Sequence, residues 1–125
     1  MKHALEIADQ WTDRVNAKDI DGVLEVSDAN VEISGPRGTA AGHDLLAQWV
    51  ENSGIQLKTI KRYAKGGKVV YEQKGSWEKA AGEVIVYTFL EVKDGKVIQI
   101  SRFDALDDAF GVSGLSEEDL VEAEK

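Results

Sequence analysis

An α+β fold is what this chain predicts, on three observations. Up to about residue 53 apolar residues recur mostly at helical spacing, and from Ile55 onward they alternate with polar ones at the period of a strand. The turn signals Gly66-Gly67, Ala81-Gly82 and Asp94-Gly95 punctuate the alternating part, the last being a strong hairpin signal. Turns this short join antiparallel neighbours, so three N-terminal helices packed on a mainly antiparallel sheet are expected.

Residues 3–17 place Leu5, Ala8, Trp11 and Val15 on one helical face, with Glu6, Asp9, Gln10, Asp13 and Arg14 elsewhere. Asp19 suits the N-cap of a second helix carrying Ile20, Val23 and Leu24, with Val26 near its end; Gly22 weakens that helix. From Val31 to Val50 the chain reads as a strand, a Gly35-Pro36-Arg37-Gly38 turn, a return strand and a third helix. That helix presents Leu45, Leu46, Trp49 and Val50, with His43 or Asp44 at its start. Strands follow near 56–64, 68–78, 83–92 and 96–104. In the second of them Glu72, Lys74 and Ser76 form a wet face, while Tyr71, Gln73, Gly75 and Trp77 point inward. Val84 to Leu90 is apolar on both parities and needs cover on both sides. Helices supply one cover; a second copy of the chain on the outer sheet face is expected to supply the other.

At 125 residues the chain holds one domain with a real core. It has no cysteine and two histidines, and no cluster with metal-ligand spacing, so thiolate chemistry is excluded and a zinc site is not expected. No apolar run reaches the ~18 residues of a membrane helix, and the N-terminus lacks a signal-peptide pattern. A cytoplasmic protein with no membrane partner is expected. The net charge is −8, and residues 104–125 supply most of it, with eight acids against Lys125 alone. Residues 1–115 are therefore read as the domain and 116–125 as an acidic tail, either solvated or docked on the basic strip Lys58, Lys61, Arg62, Lys65 and Lys68. Nucleic acid is not expected there, because Tyr63 alone offers a stacking face.

Five short segments carry a resemblance to a known family: Ala17-Lys18-Asp19-Ile20, Asn30-Val31-Glu32-Ile33, Gly42-His43-Asp44-Leu45-Leu46, Asp94-Gly95-Lys96-Val97 and Arg102-Phe103-Asp104. In their order and spacing the chain resembles the SnoaL-like branch of the NTF2-like superfamily along nearly its whole length. The resemblance implies a cystatin-like α+β cone, its three N-terminal helices packed on a curved sheet. It also implies an interior pocket for a small, largely apolar molecule, lined here by Trp11, Trp49, Tyr71, Gln73, Val86, Thr88 and Ile100. Ala109, Phe110 and Leu115 would close the wide end in family style; Arg37, in the Gly-Pro-Arg-Gly turn, reads as a solvent-exposed residue or as a guard of the pocket mouth. Trp11 and Trp49 read equally well as core filler.

The family spans ketosteroid isomerases, polyketide cyclases, epoxide hydrolases and dehydratases, so the fold names no reaction. Ketosteroid isomerase chemistry needs a carboxylate base and two oxyanion donors. The resemblance puts Trp11 at the position of its tyrosine, Ile33, beside Ser34, at its base and Thr88 at its oxyanion acid. Ile33 takes no proton, so a standard ketosteroid isomerase is not expected. Arg102 and Asp104, two apart on a strand, point to one face and make the candidate catalytic pair, with Asp104 as acid or base and Arg102 as its electrostatic partner. Such an enzyme would be a cofactor-independent isomerase, cyclase or hydrolase. The pair also resembles part of the Asp-Arg-Asp set of the epoxide hydrolases, and Asp104 the lone acid of the polyketide cyclases, with Ser101 as the alternative position. A structural ion pair, a pocket without chemistry and a purely structural dimer remain open on these residues. His43 and Glu32 are read as surface residues.

Overall fold

A computed structural model describes residues 4–35, 38–77 and 82–121. Arg37, the Trp77 side chain, the Ala81 turn position and residues 122–125 lie outside the described residues. In chain order the elements are α1 (Ala4–Asn16), α2 (Ile20–Glu25), β1 (Ser27–Gly35), β2 (Gly38–Ala41), α3 (His43–Ser53), β3 (Ile55–Lys65), β4 (Lys68–Trp77), β5 (Glu83–Lys93), β6 (Lys96–Phe103), α4 (Leu106–Ser113) and β7 (Leu120–Val121), with a 3-10 turn at Glu117–Asp119.

The local chemistry explains these boundaries. The Asp19 carboxylate accepts the Gly22 N–H at 3.1 Å and caps α2. A Cβ on Gly22 would collide with that carboxylate, so the glycine that weakens the helix in isolation is what lets the cap close. Gly54, at φ 58°, ends α3 in the left-handed region and releases the chain straight into β3.

One seven-stranded sheet results, in the order β2-β1-β6-β5-β4-β3-β7. The strands β3 to β6 form the expected antiparallel meander, and β1 joins β6 in parallel. Two bulges re-aim side chains. Ile60 has no partner between Thr59 opposite Gln73 and Lys61 opposite Glu72, and Ile98 has none between Val97 opposite Val92 and Gln99 opposite Glu91. Each extra residue flips the parity beyond it. Past Ile60 it is therefore Arg62 and Ala64, opposite Tyr71 and Val69, that share the inner face.

The main core lies between the helices and this inner face and includes Trp11, Val23, Val31, Leu46, Val50, Tyr71, Leu90 and Ile100. A second cluster lies on the outer face. There Ala109 and Leu115 pack on Tyr63, Val70 and Phe89, and Phe110 meets the Tyr63 ring edge-on at 5.0 Å. Ala109, Phe110 and Leu115 thus do not close the wide end of the cone; they roof the opposite side of the sheet. The reason is topological: β6 ends at the outer-face residue Phe103, and the turn after it carries α4 over that face.

This roof also accounts for the two-sided apolarity of Val84–Leu90. Val86 and Leu90 enter the main core while Tyr87 and Phe89 lie under the C-terminal cluster. The pattern behind the expected homodimer is met within one chain, with only Val84 (52% exposed) and Ile85 (40% exposed) left open in that run.

Part of the acidic segment 116–125 is ordered. Ser116 and Asp119 form a reciprocal capping box, and β7 pairs with β3, Val121 opposite Arg62 and Leu120 opposite Tyr63. Ordered structure therefore reaches Val121 along the strand that bears most of the basic strip. Among the described residues no helix is long and apolar enough to cross a membrane.

Candidate functional site

Trp11 is buried at the centre of α1, and its ring stacks on Trp49 of α3 at 6.1 Å with 16° between the planes. Its indole N–H is already engaged, donating to Ser27 Oγ at 3.2 Å. The Ser27 hydroxyl donates onward to the Val23 carbonyl at 2.7 Å. His43 joins the same knot: its Nε2 lies 2.9 Å from the Ser27 carbonyl, which only accepts, so Nε2 carries the proton. Half-buried His43 is thus a brace rather than a surface residue. Trp11 is core and cannot also serve as an oxyanion donor. Trp49 remains partly exposed and presents its ring to the Arg102 guanidinium, 5.9 Å from the ring centroid.

Arg102 lies on the inner face opposite Thr88. Burial lowers its pKa from the ordinary arginine value, and the charge of Asp104 opposes that shift. The i, i+2 expectation fails in one respect: β6 ends at Phe103, so Asp104 sits on the following bend and is exposed. The carboxylate reaches Arg102 as a nearby charge at the sheet's end rather than as a second inward strand residue.

The other polar residues of the inner face satisfy one another. Thr88 Oγ1 donates to Gln73 Oε1 at 2.9 Å, and Gln73 Nε2 donates to Thr59 Oγ1 at 3.1 Å, a chain across three strands. Gln73 is fully buried, so its amide works as a cross-strand brace. The Tyr71 hydroxyl donates to Asp9 Oδ1 at 2.5 Å, and Arg62 Nε donates to the same oxygen at 3.1 Å. Burial, then the Asp9 carboxylate, push the Tyr71 phenol far above its usual pKa. Val86 and Ile100 are buried in the core, Ile100 opposite Ile33 of β1. The Asp9–Tyr71–Arg62 cluster was not legible in sequence, because it depends on the parity flip at Ile60.

Among the described residues no group of three or more His, Asp or Glu is placed to hold a metal. A groove of about 640 Å³ does occur, but not against Trp49. It lies at the other end of β6, between α1, the end of α2 and two hairpin turns, bordered by Ile7, Arg14, Glu25, Val26, Val92 and Asp94 among others. None of the residues expected to line the pocket borders this groove.

Helices on the inner face of a mixed seven-stranded sheet, with a meander closed by a parallel β1–β6 pair, define an α+β cone. It is the NTF2-like fold. An NTF2-like protein of unknown function from Cytophaga hutchinsonii superposes with a TM-score of 0.76 over 88% of this chain and 97% of its own, at 11% identity. A candidate ketosteroid isomerase from Kribbella flavida gives 0.72 over 80% and 76%, at 17% identity. TerC, co-crystallised with polyporic acid, gives 0.69 over 88% and 96%, at 19% identity. No protein-family model matches the sequence, and no curated protein matches it.

Proposed function

We propose that this chain is a small-molecule-binding protein of SnoaL-like type, its ligand seated on the inner sheet face against Trp49 and beside Arg102. One observation carries the reading: Trp49 is backed by buried Trp11, is itself partly open, and has a guanidinium over its ring. Because Thr88, Gln73, Thr59, Tyr71 and Trp11 spend hydrogen bonds on the protein itself, the wall is apolar in effect and rigid. The likeness to a candidate ketosteroid isomerase and to a protein co-crystallised with polyporic acid supports a ligand of small, largely apolar type. Catalysis, where it occurs, is cofactor-free proton transfer by Asp104, with Arg102 as its electrostatic partner. The resemblance puts Ile33, which takes no proton, near the position of the ketosteroid isomerase base, so that reaction is not part of the proposal.

The neutral fluorophore N-phenyl-1-naphthylamine tests the binding reading. Trp49→Ala is expected to weaken its binding about tenfold, since an aromatic wall of this size contributes roughly 1.5 kcal/mol or more. Unchanged affinity would overturn the site. Asp104→Asn tests the chemistry: turnover of a substrate found by screening is expected to fall about 10²- to 10⁴-fold. Intact binding with unchanged turnover would leave a binding protein without Asp104 chemistry, the second reading that the exposed position of Asp104 favours.

A further inference from the structure

β5 outruns the strand that covers one of its edges. Its pairing with β4 extends from Glu91 to Glu83, but its pairing with β6 stops where Tyr87 faces Phe103. Glu83 to Val86 therefore form an edge on the β6 side. Strand alternation fixes which groups point out of it. The Val92 N–H donates to the Gly67 carbonyl on the β4 side, so even-numbered residues of β5 bond toward β4 and odd-numbered ones toward β6. The N–H and C=O groups of Glu83 and Ile85 thus face the edge, with no backbone partner among the described residues. Val84 and Ile85, the exposed apolar pair of this run, flank that edge on the inner and outer faces.

Free backbone groups between exposed apolar side chains make a template for an added strand. Charge decides which strand. Glu83 is exposed, and the exposed Asp104, Asp107 and Asp108 follow within five residues of Phe103, where β6 ends. Lys74 lies opposite Ile85 on β4, on the side away from the edge. A second copy of this edge would bring like charges together, which disfavours self-pairing. A cationic strand meets the opposite sign.

We propose that the Glu83–Val86 edge of β5 docks an extended segment of a partner protein by strand addition, and that this segment alternates apolar residues with lysine or arginine. Its apolar side chains lie beside Val84 on the inner face. Its cations lie on the outer face beside Glu83 and the first turn of α4, their alkyl stems against Ile85. So short an edge makes a transient contact rather than a permanent one.

The test uses the intact chain and a short fluorescein-labelled peptide of alternating valine and lysine, followed by fluorescence anisotropy. Saturable binding is expected. The counterpart with glutamate for lysine, and an N-methylated version without backbone donors, are each expected to bind about tenfold more weakly or worse. Ile85→Pro removes one edge-facing N–H that takes no part in the β4–β5 ladder, and it is expected to weaken binding about tenfold. Asp107→Asn combined with Asp108→Asn leaves the strand untouched and is expected to weaken binding about threefold or more, which decides the matter should Ile85→Pro not fold. Circular dichroism establishes that each variant is folded. No saturable binding, equal binding of the glutamate peptide, or binding that survives in the folded variants overturns the proposal. So does a dimer in sedimentation that Ile85→Pro dissociates, because a second copy then holds the edge. Trp49 takes no part here, so N-phenyl-1-naphthylamine binding stands or falls independently of these outcomes.

Discussion

Trp11→Ala is expected to lower stability by about 3–5 kcal/mol, the largest loss among single truncations of this core. Trp11 is 1% exposed, is the largest of the fully buried side chains, and touches both the helices and the sheet. Its loss opens a void that neighbours on three elements can only partly fill, and it strips Trp49 of its stacking partner. A domain of this kind has on the order of 5–15 kcal/mol in total, so a third or more of its stability would go. At about 4 °C per kcal/mol, Tm should fall by roughly 10–20 °C in thermal unfolding followed by circular dichroism. A drop of only a degree or two would show that Trp11 is not core and would reopen it as a ligand wall.

Tyr71 gives the second large effect, and pH exposes it. The phenol's folded pKa is raised, by burial first and then by Asp9, whereas in the unfolded chain it titrates near its ordinary value of about 10. A raised folded pKa means that this contribution is fully present below about pH 10. It is lost as pH rises further, at about 1.4 kcal/mol per pH unit, because only the unfolded chain releases the proton. Tyr71→Phe should therefore cost about 1.5–3 kcal/mol near pH 7, where a hydrogen bond to a carboxylate is lost. That difference should shrink steadily above pH 10. Tyr63, whose pKa burial, Glu117 and Glu72 also raise, acts in the same direction, so the variant retains part of the alkaline decline. Denaturant unfolding of the two proteins between pH 7 and 12 measures the difference. A constant gap across that range would contradict the assigned burial of the Tyr71 hydroxyl.

The reach of the sequence is clearest where a local signal is strong. Period-two alternation and Asp94-Gly95 placed the meander strands to within a residue or two of Ile55–Lys65, Lys68–Trp77, Glu83–Lys93 and Lys96–Phe103. Asp19 was legible as an N-cap because its chemistry is local. What stayed hidden depends on geometry that no short window holds. The bulge at Ile60 turns Arg62 inward, and nothing in IQLKTIKRYAK marks Ile60 as the extra residue. The eight residues of α4 are too few, and too interrupted by Gly111, to announce a helix, so their target face was misassigned. Asp104 was placed by extending strand parity one residue beyond the strand's real end. Strand parity puts Gln73 and Thr88 on the inner face, but composition does not reveal that they satisfy each other.

Among the described residues two places compete to receive a ligand: the inner face at Trp49 and Arg102, and the groove beside Ile7, Val26 and Val92. Two-dimensional NMR of the backbone amides, the tryptophan indole N–H groups and the arginine Nε–H groups, recorded during titration with 1-anilinonaphthalene-8-sulfonate, decides between them most directly. Saturable shifts centred on the Trp49 indole, the Arg102 Nε–H and the Thr88 amide are the expected result. Shifts confined to Ile7, Val26 and Val92, with Trp49 and Arg102 unmoved, would contradict the assignment of the inner face as the binding site.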